Sequence, residues 1–277
     1  MDNNINYING QWLESSESLV SINDAGFLLG DGLFETIRFH GKTIFKLENH
    51  VQRLQKGLEN IRINLPLSSE EIEDILLTTI DKNLLKEGLL RLMVTRGILE
   101  GAPWNFAGPP GIYVSIRPLS SKPQPPVKVV FYSESKYPII RFNPAIKSLN
   151  YLGNMLAKHD AEKEGAFEPV FYNQKNLITE CAIRNIFFIK GDTLFTPHTD
   201  LGVLPGVMRD TIIKIAASIH LNIEETHIYR DTLKDMDEAF ISSTGIGLLP
   251  CYWQGWKSDY TTTNRINQLL DAEINAQ

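Results

Sequence analysis

Apolar positions recur at two different periods along the chain. In KLENHVQRLQKGLENI (46–61), Val51, Leu54 and Leu58 fall on one face with polar residues between them, the 3.6-residue spacing of an amphipathic helix. SSEEIEDILLTTIDKNLLKEG (68–88) opens on serine and acidic residues, which suit a helix amino terminus, and predicts a second helix. RLMVTRG (91–97) and GIYVSIRPL (111–119) read as strands. Further along, VKVVFY (127–132), EPVFYN (168–173), NIFFIKG (185–191), TLFTP (193–197) and EAFISST (238–244) are β-like. Helices are expected at 149–164, 206–221 and near the carboxyl end. In the first of these, Leu149, Leu152 and Leu156 share a face, which predicts that this face is packed.

SSKPQPP (120–126) interrupts the pattern, because its prolines can neither continue a helix nor sit inside a sheet. It predicts an α/β (α+β) protein of two domains, 1–118 and 127–277, joined by a linker at 119–126. Lys147 would then belong to the second domain, and a cleft between domains is a common place for a small ligand.

With 43% apolar and 22% charged residues, the chain has the composition of a globular protein. A net charge of −6 without a basic cluster argues against a sequence-independent grip on nucleic acid. No apolar run reaches membrane-spanning length, and MDNNINYINGQW lacks the basic-then-apolar order of a secretory signal. Cys181 and Cys251 form no metal or disulfide pattern and are expected as reduced thiols in the cytoplasm. The six histidines show no HExxH and no ligand-spaced pair on one helix, so no metal is expected.

Several segments carry candidate chemistry. LGVLPGVMRDTIIKIAASI (201–219) turns at Gly206 directly into a helix whose first amides, at Val207 and Met208, suit a phosphate, although an ordinary turn-to-helix junction has the same form. Arg53, on the 46–61 helix, offers fixed donors to phosphate oxygens or is a solvated charge. Ser242, Ser243, Thr244 and Gly245 close a strand, where small hydroxyls either cap a loop or hold a phosphate. Glu180 begins an apolar strand, as a strand-end residue or as the partner of a protonated ring nitrogen. Lys147 stands at the entrance to an otherwise apolar segment; burial there would make it a usable amine nucleophile, whereas a strand-end lysine would simply be solvated. A nucleophilic lysine, a later carboxylate and a phosphate-binding helix after that are the parts needed to hold pyridoxal phosphate.

In that order, NDAGFLLGDGLFETIRF (23–39), HVQRL (50–54), RLMVTRG (91–97), KSLNYLGNMLA (147–157), TECAIRNIFFIKG (179–191), LPGVMR (204–209) and DEAFISST (237–244) resemble the fold-type IV (class IV) pyridoxal-phosphate family. That family includes branched-chain aminotransferases, D-amino-acid aminotransferases and aminodeoxychorismate lyases. The resemblance implies two domains with pyridoxal 5'-phosphate in the cleft, and a homodimer. It implies that Lys147 bonds the cofactor and moves a proton between substrate and cofactor carbons, that Tyr151 meets the phenolic oxygen, and that Glu180 keeps the pyridine nitrogen protonated. Arg53, Ser243, Thr244 and the turn and amides of Gly206, Val207 and Met208 would hold the phosphate. Phe34, Glu35, Arg91 and Gly245 are the implied substrate contacts, with loops around 34–39, 98–107 and 245–255 setting substrate placement.

Three departures bear on the reaction. Met208 stands where many of the family's aminotransferases carry threonine, GIGLLP (245–250) lacks a glutamate that they often carry, and both features look lyase-like. ILEGAPWNF has Glu100 and Gly101 where D-specific enzymes place an arginine, which argues against D-amino-acid specificity. Arg91 and Glu35 fit a transaminase. Arg184 could narrow a pocket, meet an acidic substrate or point to solvent. The expected activity is amino transfer between a branched-chain-like amino acid and a 2-oxo acid, with aminodeoxychorismate cleavage to pyruvate and 4-aminobenzoate as the alternative. A non-enzymatic family member is disfavoured because Lys147, Glu180 and Arg53 are all present.

Overall fold

A computed structural model describes residues 4–102, 104 and 108–276. The chain divides into two compact units: residues up to Ser120 together with Ile146–Asn150, and Ser121–Ala145 together with Tyr151–Ala276. Lys147 therefore belongs with the first unit, although it follows the proline-rich segment in sequence.

The first unit contains β1 (Ile5–Ile8), β2 (Gln11–Glu14), α1 (Ala25–Leu29), β3 (Gly32–His40), β4 (Thr43–Ile44), α2 (Leu47–Asn60), α3 (Ser69–Asp81), β5 (Glu87–Thr95) and β6 (Gly111–Arg117). Its six strands form an antiparallel sheet in the order β2-β1-β6-β5-β3-β4. The predicted α2 face is the buried one: Val51, Leu54 and Leu58 join Leu76 of α3 and Leu33, Ile37, Leu90 and Val94 of the sheet in one apolar core. Each such side chain contributes roughly 2 kcal/mol by leaving water.

α3 starts at the predicted serine, with a full capping box between Ser68 and Glu71. It stops well before residue 88, because the Asn83 side chain donates to Thr79 O (2.7 Å) and Ile5 O (2.9 Å). Those bonds end the helix and tie it to β1. Residues 34–39, expected as a loop, lie within β3, where nine consecutive residues pair with β5.

The second unit contains β7 (Val127–Ser133), α4 (Leu152–Lys163), β8 (Glu168–Tyr172), β9 (Ile178–Cys181), β10 (Asn185–Lys190), β11 (Thr193–Pro197), α5 (Val207–Ser218), β12 (Asn222–Thr226), β13 (Glu238–Ser243), β14 (Gly247–Tyr252) and α6 (Thr261–Ala276). Eight strands form a mixed sheet in the order β12-β11-β10-β13-β14-β7-β8-β9. Its core includes Val129, Val170, Ile186, Phe188 and Ile241, and the Phe187 and Phe240 rings stack at 4.9 Å. GIGLLP is not a loop: Gly247–Pro250 are buried in β14 and paired with β13, while Cys251 and Tyr252 of the same strand pair with β7.

α4 reverses the expected packing. Gly153, Ala157 and Ala161 are its buried residues, while Leu152 (70% exposed), Met155 and Leu156 turn outward. A Cβ on Gly153 would lie 2.4 Å from the Pro138 carbonyl oxygen, so the helix comes this close to the backbone only through its small-residue face. It begins at Leu152, not at 149, because Ile146–Asn150 runs alongside β3.

Candidate active site

In the first unit, β3 alternation sends Phe34 and Glu35 to opposite faces of the sheet. Glu35 shares the helix-covered face with Leu33 and Ile37, an expensive place for a carboxylate, and it is 1% exposed. Arg53 and His50 of α2 offset that cost. Arg53 Nε donates to Glu35 Oε1 (2.8 Å) and Nη2 to Oε2 (2.6 Å), and His50 Nδ1 lies 2.8 Å from Oε2. Burial alone would raise the Glu35 pKa, but the Arg53 charge and the hydrogen bonds from His50 and Arg53 bring it down to about 2. Burial also lowers the His50 pKa and favours the neutral ring. Glu35, expected at the substrate, is instead a buried anion that fixes the Arg53 guanidinium.

Phe34, on the other face, carries two cationic side chains. The Arg91 guanidinium and Lys147 Nζ each sit 4.3 Å from its ring centroid. Lys147 is half-buried, and its position is set by main-chain bonds to β3: Phe34 N donates to Lys147 O (2.9 Å) and Leu149 N to Gly32 O (3.0 Å). Arg91 is exposed on β5, opposite Thr36.

The NDAG and TRG segments hold each other. Asp24 caps α1 and accepts from the Thr95 and Tyr113 hydroxyls at 2.8 Å, and Asp31 pairs with Arg96 at 2.6 Å. Pro103 and residues 105–107, part of the expected 98–107 substrate loop, lie outside the described residues.

In the second unit, Glu180 on β9 is clamped. Arg141 Nη1 donates to Glu180 Oε1, and Leu204 N donates to Oε2 (3.2 Å). Arg141 also pairs with Glu134 (2.6 Å), and the two carboxylates raise its pKa against the lowering effect of burial. Sequence reasoning missed Arg141: it sits in a segment without periodicity, and nothing local marks a partner 39 residues away.

Gly206 is the N-cap of α5 and supplies no side-chain acceptor to the amides that follow, which include Val207 and Met208. The Met208 side chain is 1% exposed, so only its backbone can serve a ligand. A Cβ on Gly206 would meet Asn185 Oδ1 at 2.5 Å, and Asn185 is itself anchored on Ser242. Ser243, Thr244 and Gly245 are half-buried at the β13–β14 turn. Tyr151 is also half-buried, directly before α4. Arg184 does not simply point to solvent: it pairs with Glu168, which is fully buried, and lies 4.4 Å from the Phe167 ring.

Each unit carries groups of a kind that suits pyridoxal phosphate: in the first an amine and a clamped guanidinium, in the second a clamped carboxylate and a helix start without a side-chain cap.

The model of the family described as amino-transferase class IV matches residues 32–252. A provisionally named branched-chain-amino-acid aminotransferase of Methanocaldococcus jannaschii is 33% identical over 89% of this chain and 86% of its own. The D-alanine aminotransferase of Listeria monocytogenes serotype 4b (88% and 85% covered) and the aminodeoxychorismate lyase of Bacillus subtilis (88% and 84% covered) are each 31% identical. The crystal structure of the branched-chain aminotransferase of Thermoproteus uzoniensis superposes with a TM-score of 0.90, covering 99% of this chain and 96% of that one at 21% identity.

Proposed function

The chain belongs to the class IV aminotransferases, enzymes dependent on pyridoxal phosphate, and on that premise we propose that it transfers an amino group between a branched-chain-like amino acid and a 2-oxo acid. The observation that carries this reading is the aromatic face of Phe34, with Lys147 Nζ and the Arg91 guanidinium both 4.3 Å from its centroid. An α-amino acid presents an amine and a carboxylate one carbon apart. The lysine nitrogen and the guanidinium beside Phe34 match that pair in kind.

Pyridoxal phosphate, when bound, supplies the electron sink that weakens bonds at the substrate α-carbon. In this reading Lys147 Nζ would hold the cofactor and, as the free amine, would move the substrate α-proton. Glu180, oriented by Arg141, would hold the pyridine nitrogen and keep it protonated, and the Tyr151 hydroxyl would hold the phenolic oxygen. Arg53, oriented by Glu35, would hold phosphate oxygens, and the Val207 and Met208 amides and the Ser243 and Thr244 hydroxyls would be further phosphate donors. Gly245, at the β13–β14 turn, is the remaining substrate contact in this reading. The Glu100 and Gly101 positions favour an L-amino acid.

The enzyme acts as a homodimer in this reading, supported by the outward Leu152, Met155 and Leu156 of α4, an apolar face of the kind that association covers. It works in the cytoplasm, with Cys181 and Cys251 as buried free thiols. Among the described residues no helix is long and apolar enough to cross a membrane.

Met208 favours a second reading, 4-amino-4-deoxychorismate lyase, because its buried side chain leaves the phosphate only a backbone amide where transaminases often add a hydroxyl. The test uses cofactor-loaded protein without keto acid, mixed separately with L-leucine, L-glutamate and D-alanine. Decay of the visible cofactor band to the pyridoxamine form with an L-amino acid supports transamination and names the donor. A band that persists with all three, together with pyruvate release from aminodeoxychorismate, selects the lyase.

A further inference from the structure

Three side chains converge outside the residues so far assigned. β11 and β12 are parallel neighbours in the second unit, with Pro197 paired to Thr226, so the residues that follow them, His198 and His227, emerge side by side. Asp200 sits in the short 3-10 turn after His198. His198 Nδ1 lies 3.0 Å from Asp200 Oδ1, and His227 Nε2 lies 2.9 Å from the same oxygen and 3.0 Å from Oδ2. One ligand atom from each residue falls within 4.8 Å of the other two. The rings meet edge to face at 6.2 Å.

His198 Nδ1 also accepts the Asp200 backbone N–H at 3.2 Å, so its lone pair faces the turn, and a cation shared among the three would take that lone pair in place of the amide. Tetrahedral zinc with bonds near 2.1 Å sets neighbouring ligand atoms about 3.4 Å apart, so the Asp200 carboxylate would draw back slightly from its 2.9–3.0 Å contacts with the two rings. Two histidines and one carboxylate also leave a coordination position open for water or a further ligand.

The backbone that carries the three ligands is fixed. His198 N donates to Thr226 O (3.1 Å), and Gly202 closes the turn in the left-handed conformation, its N–H on Thr199 O. Arg209, 5% exposed, donates to Pro197 O (2.9 Å) and pairs with Glu225 (2.7 Å), pinning both strand ends. The side chains themselves remain about half exposed, so an ion could enter from solvent without the fold opening.

We propose that His198, Asp200 and His227 form a binding site for one divalent transition-metal ion of the zinc class, which clips the exit of edge strand β12 to β11. Zinc suits two neutral imidazoles and a carboxylate better than a hard cation such as magnesium or calcium does. The clip stabilises the folded chain by mass action, since the unfolded chain does not hold the three ligands together.

The test titrates Zn2+ calorimetrically into chelator-treated, cofactor-loaded full-length protein. It is repeated on H198A/H227A, on the near-isosteric D200N, and on H220A as a control at an exposed histidine outside the cluster. One zinc ion per chain is expected, with the melting temperature rising on addition. Affinity should fall by roughly 100-fold or more in H198A/H227A, since even outer-shell partners of a metal site are worth about 10–100-fold. D200N should also weaken binding, and H220A should leave it unchanged. Wild-type protein that takes up no zinc at millimolar concentration overturns the proposal, and so does equal binding by H198A/H227A. Because the readout is zinc binding, its failure leaves the aminotransferase reading untouched.

Discussion

Glu35→Gln tests whether the buried carboxylate is the anchor of Arg53. The substitution keeps the side-chain shape and removes the charge that Arg53 and His50 enclose. The folded-state pKa of about 2, against an ordinary 4.5, corresponds at roughly 1.4 kcal/mol per pH unit to about 3 kcal/mol of stability at neutral pH. Breaking a buried pair by removing one partner costs about 3–5 kcal/mol, which agrees.

The sign follows from the direction of the shift. A carboxylate with a depressed folded pKa contributes fully above pH 4.5, and that contribution is lost as pH falls toward 2. His50, whose folded pKa is lowered, works in the same sense. Below its ordinary 6.5 the unfolded chain takes up a proton that the folded one resists, so stability falls with acid. Urea unfolding of cofactor-free protein, which removes ligand linkage, should show E35Q less stable than wild type by about 3 kcal/mol at pH 7 and by only about 1 kcal/mol near pH 3. Inorganic phosphate, used as a probe of Arg53, should bind E35Q more weakly. A variant as stable as wild type at pH 7, or a deficit that does not shrink with acid, would refute the reasoning.

Arg184→Met should leave buried Glu168 without its counter-charge and lower stability by about 3–5 kcal/mol in neutral urea melts. The loss should shrink toward pH 5, because burial raises the Glu168 pKa and a protonated carboxyl needs no partner. Gly206→Ala places a Cβ 2.5 Å from Asn185 Oδ1, so a stability loss of about 1–3 kcal/mol is expected, along with weaker cofactor retention on dialysis. Both cysteines are buried and burial pushes their thiols up, so a thiol reagent should react with the folded protein slowly and with both groups at once after denaturation.

Local chemistry made much of the fold legible. The α2 face of Val51, Leu54 and Leu58 and the Ser68 capping box follow from side-chain spacing along a few turns, and tertiary packing then agreed with them. The order of Arg53, Lys147, Glu180 and Gly206 marked the family before any geometry. The failures share a cause. α4 has two candidate faces, and the apolar one lost because Gly153 lets the helix reach the Pro138 backbone while Ala157 and Ala161 pack among Tyr132, Tyr137 and Phe171.

Alternation along β3 determined that Phe34 and Glu35 point to opposite sides. Which side α2 would cover was decided in three dimensions, and with it the exchange of Glu35 from a substrate contact to the buried partner of Arg53. Arg141 on Glu180 and the His198–Asp200–His227 cluster are likewise products of strand pairing and chain return, joining residues dozens of positions apart. By itself the sequence determined the periods, the caps and the supply of reactive groups, because these are set by neighbours along the chain. Which groups meet was decided by the tertiary structure, because a charge or an apolar face keeps its place only where distant segments satisfy it.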